Sequence, residues 1–311
     1  MTTLVYWHDA CLEHDTGPMH PERADRLRAV RAALEAPDFE ALEWREAPRA
    51  TVEQIARIHP QAFVEQLLAA VPESGLVAAD ADTILSPGSG EAALRAAGAV
   101  CAAVDAVMAG EAKNAFCAVR PPGHHAEPET AMGFCLFNSV AIGAEQARKV
   151  HGLKRAAVID FDVHHGNGTQ AAFWNQPNLF FASTHQWPLY PGTGAAEERG
   201  VKNNILNRPL AMMEGSEEFR AALGEVILPA VERFAPDFIL ISAGFDAHRD
   251  DPLAGLQFHT EDYAWATEAI AGLADKVCEG RLVSTLEGGY DLEALAASAA
   301  AHVGALMAAS A

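Results

Sequence analysis

Basic side chains and cysteines are scarce in this chain of 311 residues. The 22 Lys and Arg face 42 Asp and Glu, giving a formal net charge of −20, which argues against nucleic acid or an anionic membrane as a partner. The five cysteines are scattered without a Cys-x-x-Cys pair, so neither a disulfide framework nor a cysteine zinc site is expected. The acidic excess could attract cationic substrates or simply serve solubility, and the sequence leaves both open.

Long apolar runs and a secretory leader are also missing from the sequence. No basic segment followed by an apolar one opens the chain, and no apolar run approaches the ~20 residues that span a membrane. We therefore expect a cytoplasmic protein without a membrane partner. Apolar residues make up 50% of the chain, enough for a large core, and no linker or repeat divides residues 1–311. The sequence predicts a single domain.

Short apolar segments alternate with helical ones along the chain. This alternation indicates a three-layer α/β/α domain with a mostly parallel central sheet. The predicted strands are residues 4–7, 115–119, 156–161, 179–184, 238–243 and 282–286. The predicted helices are residues 21–35, 60–70, 91–109, 140–151, 217–234, 261–278 and 292–308. Segments 123–138, 186–207 and 247–259 are predicted to be functional loops on one rim.

The end of the third predicted strand carries the strongest chemical signal. Asp160, Asp162 and His164 alternate there, so an extended chain places them on one face, where Asp162 and His164 could bind one metal ion. Asp246, after the fifth predicted strand, offers a third ligand. Two aspartates and one histidine leave coordination positions open, which suits a catalytic Zn²⁺ or Fe²⁺.

Two further strand ends carry reactive groups. His124 and His125 lie on a loop stiffened by proline and glycine, and neighbouring imidazoles can divide acid and base roles. Tyr290 follows two glycines that would let it reach the same rim. Taken singly, each group has an ordinary alternative: a surface histidine pair, a packing tyrosine and, for Asp246, a turn carboxylate.

Five ordered motifs together resemble the histone deacetylase family, which includes bacterial deacetylase-like amidohydrolases and acetylpolyamine amidohydrolases. The motifs are Arg120-Pro-Pro-Gly-His-His125, Gly133-Phe-Cys-Leu-Phe-Asn138, Asp160-x-Asp-x-His-His-Gly-Asn-Gly-Thr169, Ser242-Ala-Gly-Phe-Asp246 and Glu287-Gly-Gly-Tyr290. The resemblance runs from His20 through the last helix, and Asn167 makes it most similar to class II. It implies an arginase/deacetylase-like fold with the active site on loops at the carboxyl ends of the strands.

The resemblance implies a role for each residue of the catalytic motifs. The zinc ligands would be Asp162, His164 and Asp246. His124 and His125 would be the catalytic pair, the first oriented by Asp160 and the second by Asn167. Tyr290 would hydrogen-bond the polarised substrate carbonyl. A structural potassium ion, present in many members, would be bound by Asp160, Asp162, His164 and Ser183.

The same resemblance implies a narrow substrate tunnel. Phe134 and Tyr190 would form its walls, and the backbone carbonyl of Gly133 would accept the substrate amide N–H. Arg26 would line an internal channel through which acetate leaves. Leu253 lies where acetylpolyamine-selective class II enzymes carry an acidic residue, which weakens a polyamine assignment without excluding it.

The implied function is zinc-dependent hydrolysis of an N-acetylated amine, either a small molecule or a peptide carrying acetyl-lysine. The alternatives are an acetylpolyamine amidohydrolase, a catalytically silent binder of acylated ligands, and an arginase-like hydrolase with two manganese ions. The last needs a second full set of metal ligands, which these motifs do not supply. The choice between zinc and iron, the possibility of a homo-oligomer, and the identity of the basic histidine stay open.

Overall fold

The computed structural model describes residues 2–310, and within this range its centre is an eight-stranded sheet. The strands are β1 (Thr3–Trp7), β2 (Glu43–Glu46), β3 (Val77–Ala78), β4 (Ile84–Leu85), β5 (Asn114–Cys117), β6 (Ala156–Asp160), β7 (Leu179–Gln186), β8 (Ile205–Leu210), β9 (Phe238–Ala243) and β10 (Leu282–Leu286). Their order in the large sheet is β2-β1-β5-β10-β9-β6-β7-β8, with every neighbouring pair parallel. Strands β3 and β4 form a separate antiparallel pair.

Helices cover both faces of this sheet. They are α1 (Ala24–Leu34), α2 (Val52–Ile55), α3 (Gln61–Ala69), α4 (Ser89–Met108), α5 (Ser139–Lys149), α6 (Asn167–Phe173), α7 (Ser216–Ala221), α8 (Leu228–Phe234), α9 (Thr260–Cys278) and α10 (Leu292–Ser310). Helices α4 and α5 pack on each other and on the central strands, while α10 packs between α1 and α9 on the opposite face. The predicted α/β class is confirmed. Because β6, β9 and β10 are covered on both faces, all of their residues are buried, and the sequences of β6 and β9 are almost entirely apolar.

Helix α10 corrects the expectation that the chain has no apolar segment of membrane-spanning length. It has 19 residues and is long and apolar enough to cross a membrane, by length and composition alone. Core helices meet the same criterion, and α10 packs on α1 and α9 with Leu295, Val303 and Leu306 buried. Its composition is therefore weak evidence for a membrane span.

The structure also contains elements that the sequence did not predict. The edge strands β2 and β8 carry charged or partly exposed side chains, so they lack the apolar signature of the central strands. Strand β8 begins inside the predicted loop 186–207. The helix predicted over residues 217–234 is divided by a π-helical turn at Ala222–Ile227, just before Pro229, which has no N–H to donate.

Candidate active site

The predicted catalytic residues converge because their strands are neighbours. Strands β5, β10, β9 and β6 are consecutive in the sheet and parallel, so their carboxyl ends meet at one edge. The segments that follow these strands carry, in the same order, the His124–His125 pair, Tyr290, Asp246, and Asp162 with His164.

Asp162, His164 and Asp246 form a buried cluster whose ligand atoms all lie within 4.8 Å of one another. The Nδ1 atom of His164 is 3.2 Å from a carboxylate oxygen of each aspartate. Backbone amides fix the carboxylates: His164 N–H and Gly288 N–H donate to Asp162, and Val163 N–H donates to Asp246. Three mixed oxygen and nitrogen donors, held in place before any ion arrives, match an open site for a divalent metal.

Two glycines let the backbone pass close to this cluster. A Cβ atom at Gly244 would collide with the carboxylate of Asp162, and one at Gly288 would collide with the carboxylates of Asp162 and Asp246. The glycines of the motifs after β9 and β10 therefore make room for the two acidic side chains of the cluster.

The imidazoles of His124 and His125 lie side by side, with ring centroids 4.0 Å apart. The Nδ1 atom of His124 is 2.9 Å from Asp160, and the Nδ1 atom of His125 is 2.8 Å from the amide oxygen of Asn167. Asn167 donates from its amide nitrogen to Glu127, so its oxygen faces His125. An amide oxygen only accepts, so Nδ1 of His125 carries the proton, and in the neutral ring Nε2 keeps a free lone pair.

The surroundings shift the pKa values of the two histidines in opposite directions. Burial opposes the charged form of His124, but the carboxylates of Asp162 and Asp160 outweigh it and raise its pKa to about 10. Burial lowers the pKa of His125 well below its ordinary value, and the nearby His124 and His164 act in the same direction. The surroundings therefore favour the charged form of the His124 imidazole and the neutral form of the His125 imidazole.

Aromatic rings lie next to the cluster and the histidine pair. Tyr190 meets the ring of His125 edge to face, with centroids 5.1 Å apart, and Phe134 meets the ring of Tyr290 with centroids 6.0 Å apart. Tyr190 is 38% exposed, whereas Phe134 and Tyr290 are partly buried. Tyr190 also meets the ring of His164, with centroids 6.2 Å apart, and the tunnel-wall role of Phe134 and Tyr190 stays a prediction.

The loop of Tyr290 is fixed by two buried charged residues. The guanidinium of Arg26 donates to the backbone carbonyls of Glu287 and Gly289, at 2.5 Å each, and lies 4.9 Å from the centre of the Tyr290 ring. A carboxylate oxygen of Asp251 accepts the N–H of Tyr290 at 2.7 Å. Arg26 therefore supports the tyrosine and its loop, and its place in an internal channel stays a prediction.

The remaining predicted residues lie close to this constellation. The backbone N–H of Leu253 donates to Asp251, which ties it to the Tyr290 loop. Ser183 on β7 is the register partner of Asp160 on β6. Gly133 lies against the ring of His125, because a Cβ atom there would collide with that ring.

Two supporting carboxylates had no predicted role. Glu287 accepts the N–H groups of Gly123 and His124, and Asp251 holds Tyr290. Burial raises the pKa of each carboxyl to about 7. Glu287 lies inside a recognised motif, which was an available signal, whereas nothing in the local sequence distinguishes Asp251.

The chain is similar to known proteins along nearly its whole length. A model of the histone deacetylase domain matches residues 20–306. The chain is 44% identical to histone deacetylase 14, chloroplastic, of Arabidopsis thaliana, over 98% of this chain and 76% of that protein. It is 38% identical to the histone deacetylase-like amidohydrolase of Pseudomonas aeruginosa, over 93% of this chain and 81% of that protein. The crystal structure of the HDA15 HD domain matches with a TM-score of 0.92 and 34% identity, covering 99% of this chain and 89% of that one.

Proposed function

Because this chain belongs to the histone deacetylase family, we propose that it is a zinc-dependent deacylase that hydrolyses an N-acetylated amine to free amine and acetate. The observation that carries the proposal is the convergence of the Asp162, His164 and Asp246 cluster with the His124–His125 pair and Tyr290 at one sheet edge. A binder that lost its catalysis would not need all three features, so the geometry favours an enzyme.

The donor set of the cluster fits one divalent metal. Asp162, His164 and Asp246 would bind it, with Zn²⁺ the expected ion and Fe²⁺ an alternative. When bound, the metal supplies Lewis acidity that polarises the amide carbonyl and makes water a better nucleophile at neutral pH. Asp160 and Ser183 are adjacent in register and offer further oxygens, so we also propose a structural potassium ion beside the cluster, bound by Asp160, Asp162, His164 and Ser183.

The protein side chains would move the protons. Nε2 of His125 carries a free lone pair while Nδ1 donates to Asn167, so we assign it to accept a proton from the attacking water. An imidazolium of the pair then protonates the leaving amine. The hydroxyl of Tyr290, whose loop is held by Arg26 and Asp251, would donate to the negative charge that develops on the carbonyl oxygen when water attacks the carbonyl carbon.

The substrate would enter as an acetylated amine at the end of a slender stem. Phe134 and Tyr190 would flank the stem, and the Gly133 carbonyl would accept the amide N–H. Acetyl-lysine in a peptide fits this description, and so does an acetylated small-molecule amine.

An acetylpolyamine is the second candidate substrate, and the charge at the tunnel mouth favours it. Burial raises the pKa of Tyr190, and the nearby carboxylates of Asp82, Asp80 and Glu127 raise it further. The same acidic groups would attract additional ammonium groups on a polyamine. Leu253 argues against an acetylpolyamine, because the rim has no acidic residue at that position.

Removal and return of the metal tests the proposed function. Purified protein is stripped with a chelator, loaded with Zn²⁺ or Fe²⁺, and assayed for acetate release from acetyl-lysine peptides, acetylputrescine and acetylspermidine. We expect the stripped protein to lose at least about 99% of its activity, since the metal contributes to both carbonyl and water activation. Elemental analysis should give one divalent transition metal per chain at full activity. Two Mn²⁺ per chain would favour the arginase-like alternative, and no acetate release from any substrate would refute the proposal.

We also propose that the enzyme works in a reducing compartment such as the cytoplasm. All five cysteines are buried and free, which supports this placement.

A further inference from the structure

The tunnel wall contains a tight turn with an unusual backbone. Met132 and Cys135 exchange two backbone hydrogen bonds, at 3.1 and 3.0 Å, and enclose Gly133 and Phe134. Both central residues have positive φ angles, 58° for Gly133 and 68° for Phe134. Two consecutive positive φ values are typical of the type I′ hairpin turn, in which the second central position is usually glycine.

Phe134 is an unfavourable residue for its position in this turn. The left-handed region is open to glycine but brings the Cβ atom of any other residue close to its own backbone. The order of the two residues could not be reversed, because a side chain at position 133 would place a Cβ atom against the ring of His125. Contacts from outside the turn must therefore stabilise this conformation against relaxation.

The β3–β4 hairpin region supplies these contacts. The N–H of Gly133 donates to Oδ1 of Asp82, and the N–H of Phe134 donates to Oγ1 of Thr83, each at 3.1 Å. The two side chains also fix each other, since the hydroxyl of Thr83 donates to Asp82 at 2.9 Å, and Thr83 is buried. Both central amides of the strained turn are thus held by adjacent residues that lie 51 positions earlier in the chain.

His20 connects this arrangement to the aromatic wall. Its Nε2 lies 3.1 Å from the backbone carbonyl of Asp82, and its ring meets the ring of Phe134 edge to face at 4.6 Å. The carbonyl of Asp82 can only accept, so Nε2 of His20 carries the proton. Phe134 is therefore fixed by two contacts: the hydrogen bond of its backbone N–H and the edge-to-face contact of its ring with His20.

We propose that Asp82 and Thr83 are positioning residues that fix the Gly133–Phe134 turn in its substrate-accepting form. The inference rests on the proposed function, which places the Gly133 carbonyl and the Phe134 ring against the substrate. If the turn relaxes, only a fraction of molecules presents a formed tunnel, and apparent substrate affinity falls by that fraction. The catalytic groups stay in place, so a substrate that has bound reacts at its normal rate.

Substitutions at Thr83 provide a matched test. Thr83→Val keeps the shape of the side chain and removes the hydroxyl, whereas Thr83→Ser keeps the hydroxyl. With an acetyl-lysine peptide, we expect Thr83→Val to raise KM about tenfold, the upper range for one lost hydrogen bond, with kcat within about twofold. Thr83→Ser should behave like the parent protein. Equal KM values for the two variants, or a loss confined to kcat, would overturn the proposal.

A second readout does not depend on activity. Hydrogen exchange measured by mass spectrometry over residues 131–137 reports the amides of Gly133 and Phe134 directly. We expect faster exchange there in Thr83→Val and in Asp82→Ala, with unchanged exchange in α4 and α9, and parent-like exchange in Thr83→Ser. If the variants exchange faster but the parent protein hydrolyses no acetylated amine, the proposed function is refuted while the contacts of Asp82 and Thr83 with the turn remain supported. Active variants with unaltered exchange and KM would refute the positioning role alone.

Discussion

At the scale of single residues, the candidate site is oriented by hydrogen bonds from the surrounding protein. Backbone N–H groups hold Asp162 and Asp246 while His164 lies between them. Asn167 holds Nδ1 of His125 and leaves Nε2 free. The orientation is already set in the protein, so little reorganisation is needed when a substrate binds.

Tyr290 is the residue whose loss should separate catalysis from binding. Its ring stays supported by Arg26 and Phe134 without the hydroxyl, so Tyr290→Phe should preserve the fold and the tunnel. We expect kcat for an acetyl-lysine peptide to fall about 10²- to 10³-fold, the usual effect of removing one donor to an oxyanion. The measurement is steady-state kinetics together with calorimetric binding of the acetylated peptide to the variant.

Binding within about threefold of the parent protein would show that the tunnel is intact, since the hydroxyl acts mainly on the transition state. A variant with full hydrolytic activity would contradict the role proposed for Tyr290. A parent protein that binds but does not hydrolyse would instead support the silent binder.

At the scale of elements, the sequence was most informative where strands are covered on both faces. The central strands β6, β9 and β10 are buried, mainly apolar runs with reactive residues at or just after their ends, so both the strands and the Asp162, His164 and Asp246 cluster could be predicted. The edge strand β2 has the sequence Glu-Trp-Arg-Glu, and solvent exposure removes the apolar pattern that a prediction needs.

Supporting residues were missed for a different physical reason. Asp251, Asp82 and Thr83 act by accepting backbone N–H groups from distant segments. The sequence does not reveal which N–H a carboxylate will meet, because that depends on how loops approach one another after the sheet has formed. The catalytic residues predicted at the ends of neighbouring strands do not depend on loop packing, because the order of the strands in the sheet brings them together.

A buried histidine hydrogen-bonds helix α10 to helix α9 and strand β10. Thr267 on α9 donates its hydroxyl to the carbonyl of Tyr263, so its oxygen accepts a hydrogen bond from Nδ1 of His302 on α10. The hydroxyl of Ser284 on β10 then donates to Nε2 of His302, at 2.8 Å. Both ring nitrogens are used by a neutral imidazole, and burial lowers the pKa of His302 from 6.5 to about 3.

This histidine should make folding stability depend on pH. Between pH 6.5 and about 3 the unfolded chain binds a proton at His302 that the folded chain does not, so stability is lost as the pH falls through this window. The free energy of unfolding falls by about 1.4 kcal/mol for each unit by which the pH is lowered. We expect His302→Gln to remove the contribution of His302 to the change of unfolding free energy with pH, measured by urea unfolding between pH 6 and 4.

Ser284→Ala is the matched control for that experiment. It removes a hydrogen bond to the same ring but leaves a titrating histidine, so it should lower the unfolding free energy by about 1 kcal/mol with the slope retained. Equal pH slopes for the parent protein and His302→Gln would show that His302 is not held neutral in the folded state.

At the scale of the whole molecule, the dominant property is the net charge of −20. Such a charge produces a negative potential around the protein, and acidic groups also lie near Tyr190, at the proposed entrance for the substrate. A cationic substrate is therefore attracted before it makes any contact. The rate of encounter should depend on both the charge of the substrate and the ionic strength, because salt screens charges beyond about 8 Å at physiological concentration.

A comparison of two substrates at different salt concentrations tests this steering. For acetylspermidine, or for an acetyl-lysine peptide flanked by lysines, kcat/KM should fall about tenfold between low salt and 0.3 M salt. For an uncharged acetyl-lysine amide, kcat/KM should change less than about twofold, because no net attraction exists to be screened. Asp80→Asn, a change at an exposed residue of the mouth, should reduce kcat/KM for the cationic substrate at low salt and leave the neutral one unaffected. If both substrates respond to salt equally, the acidic excess serves solubility and does not select the substrate.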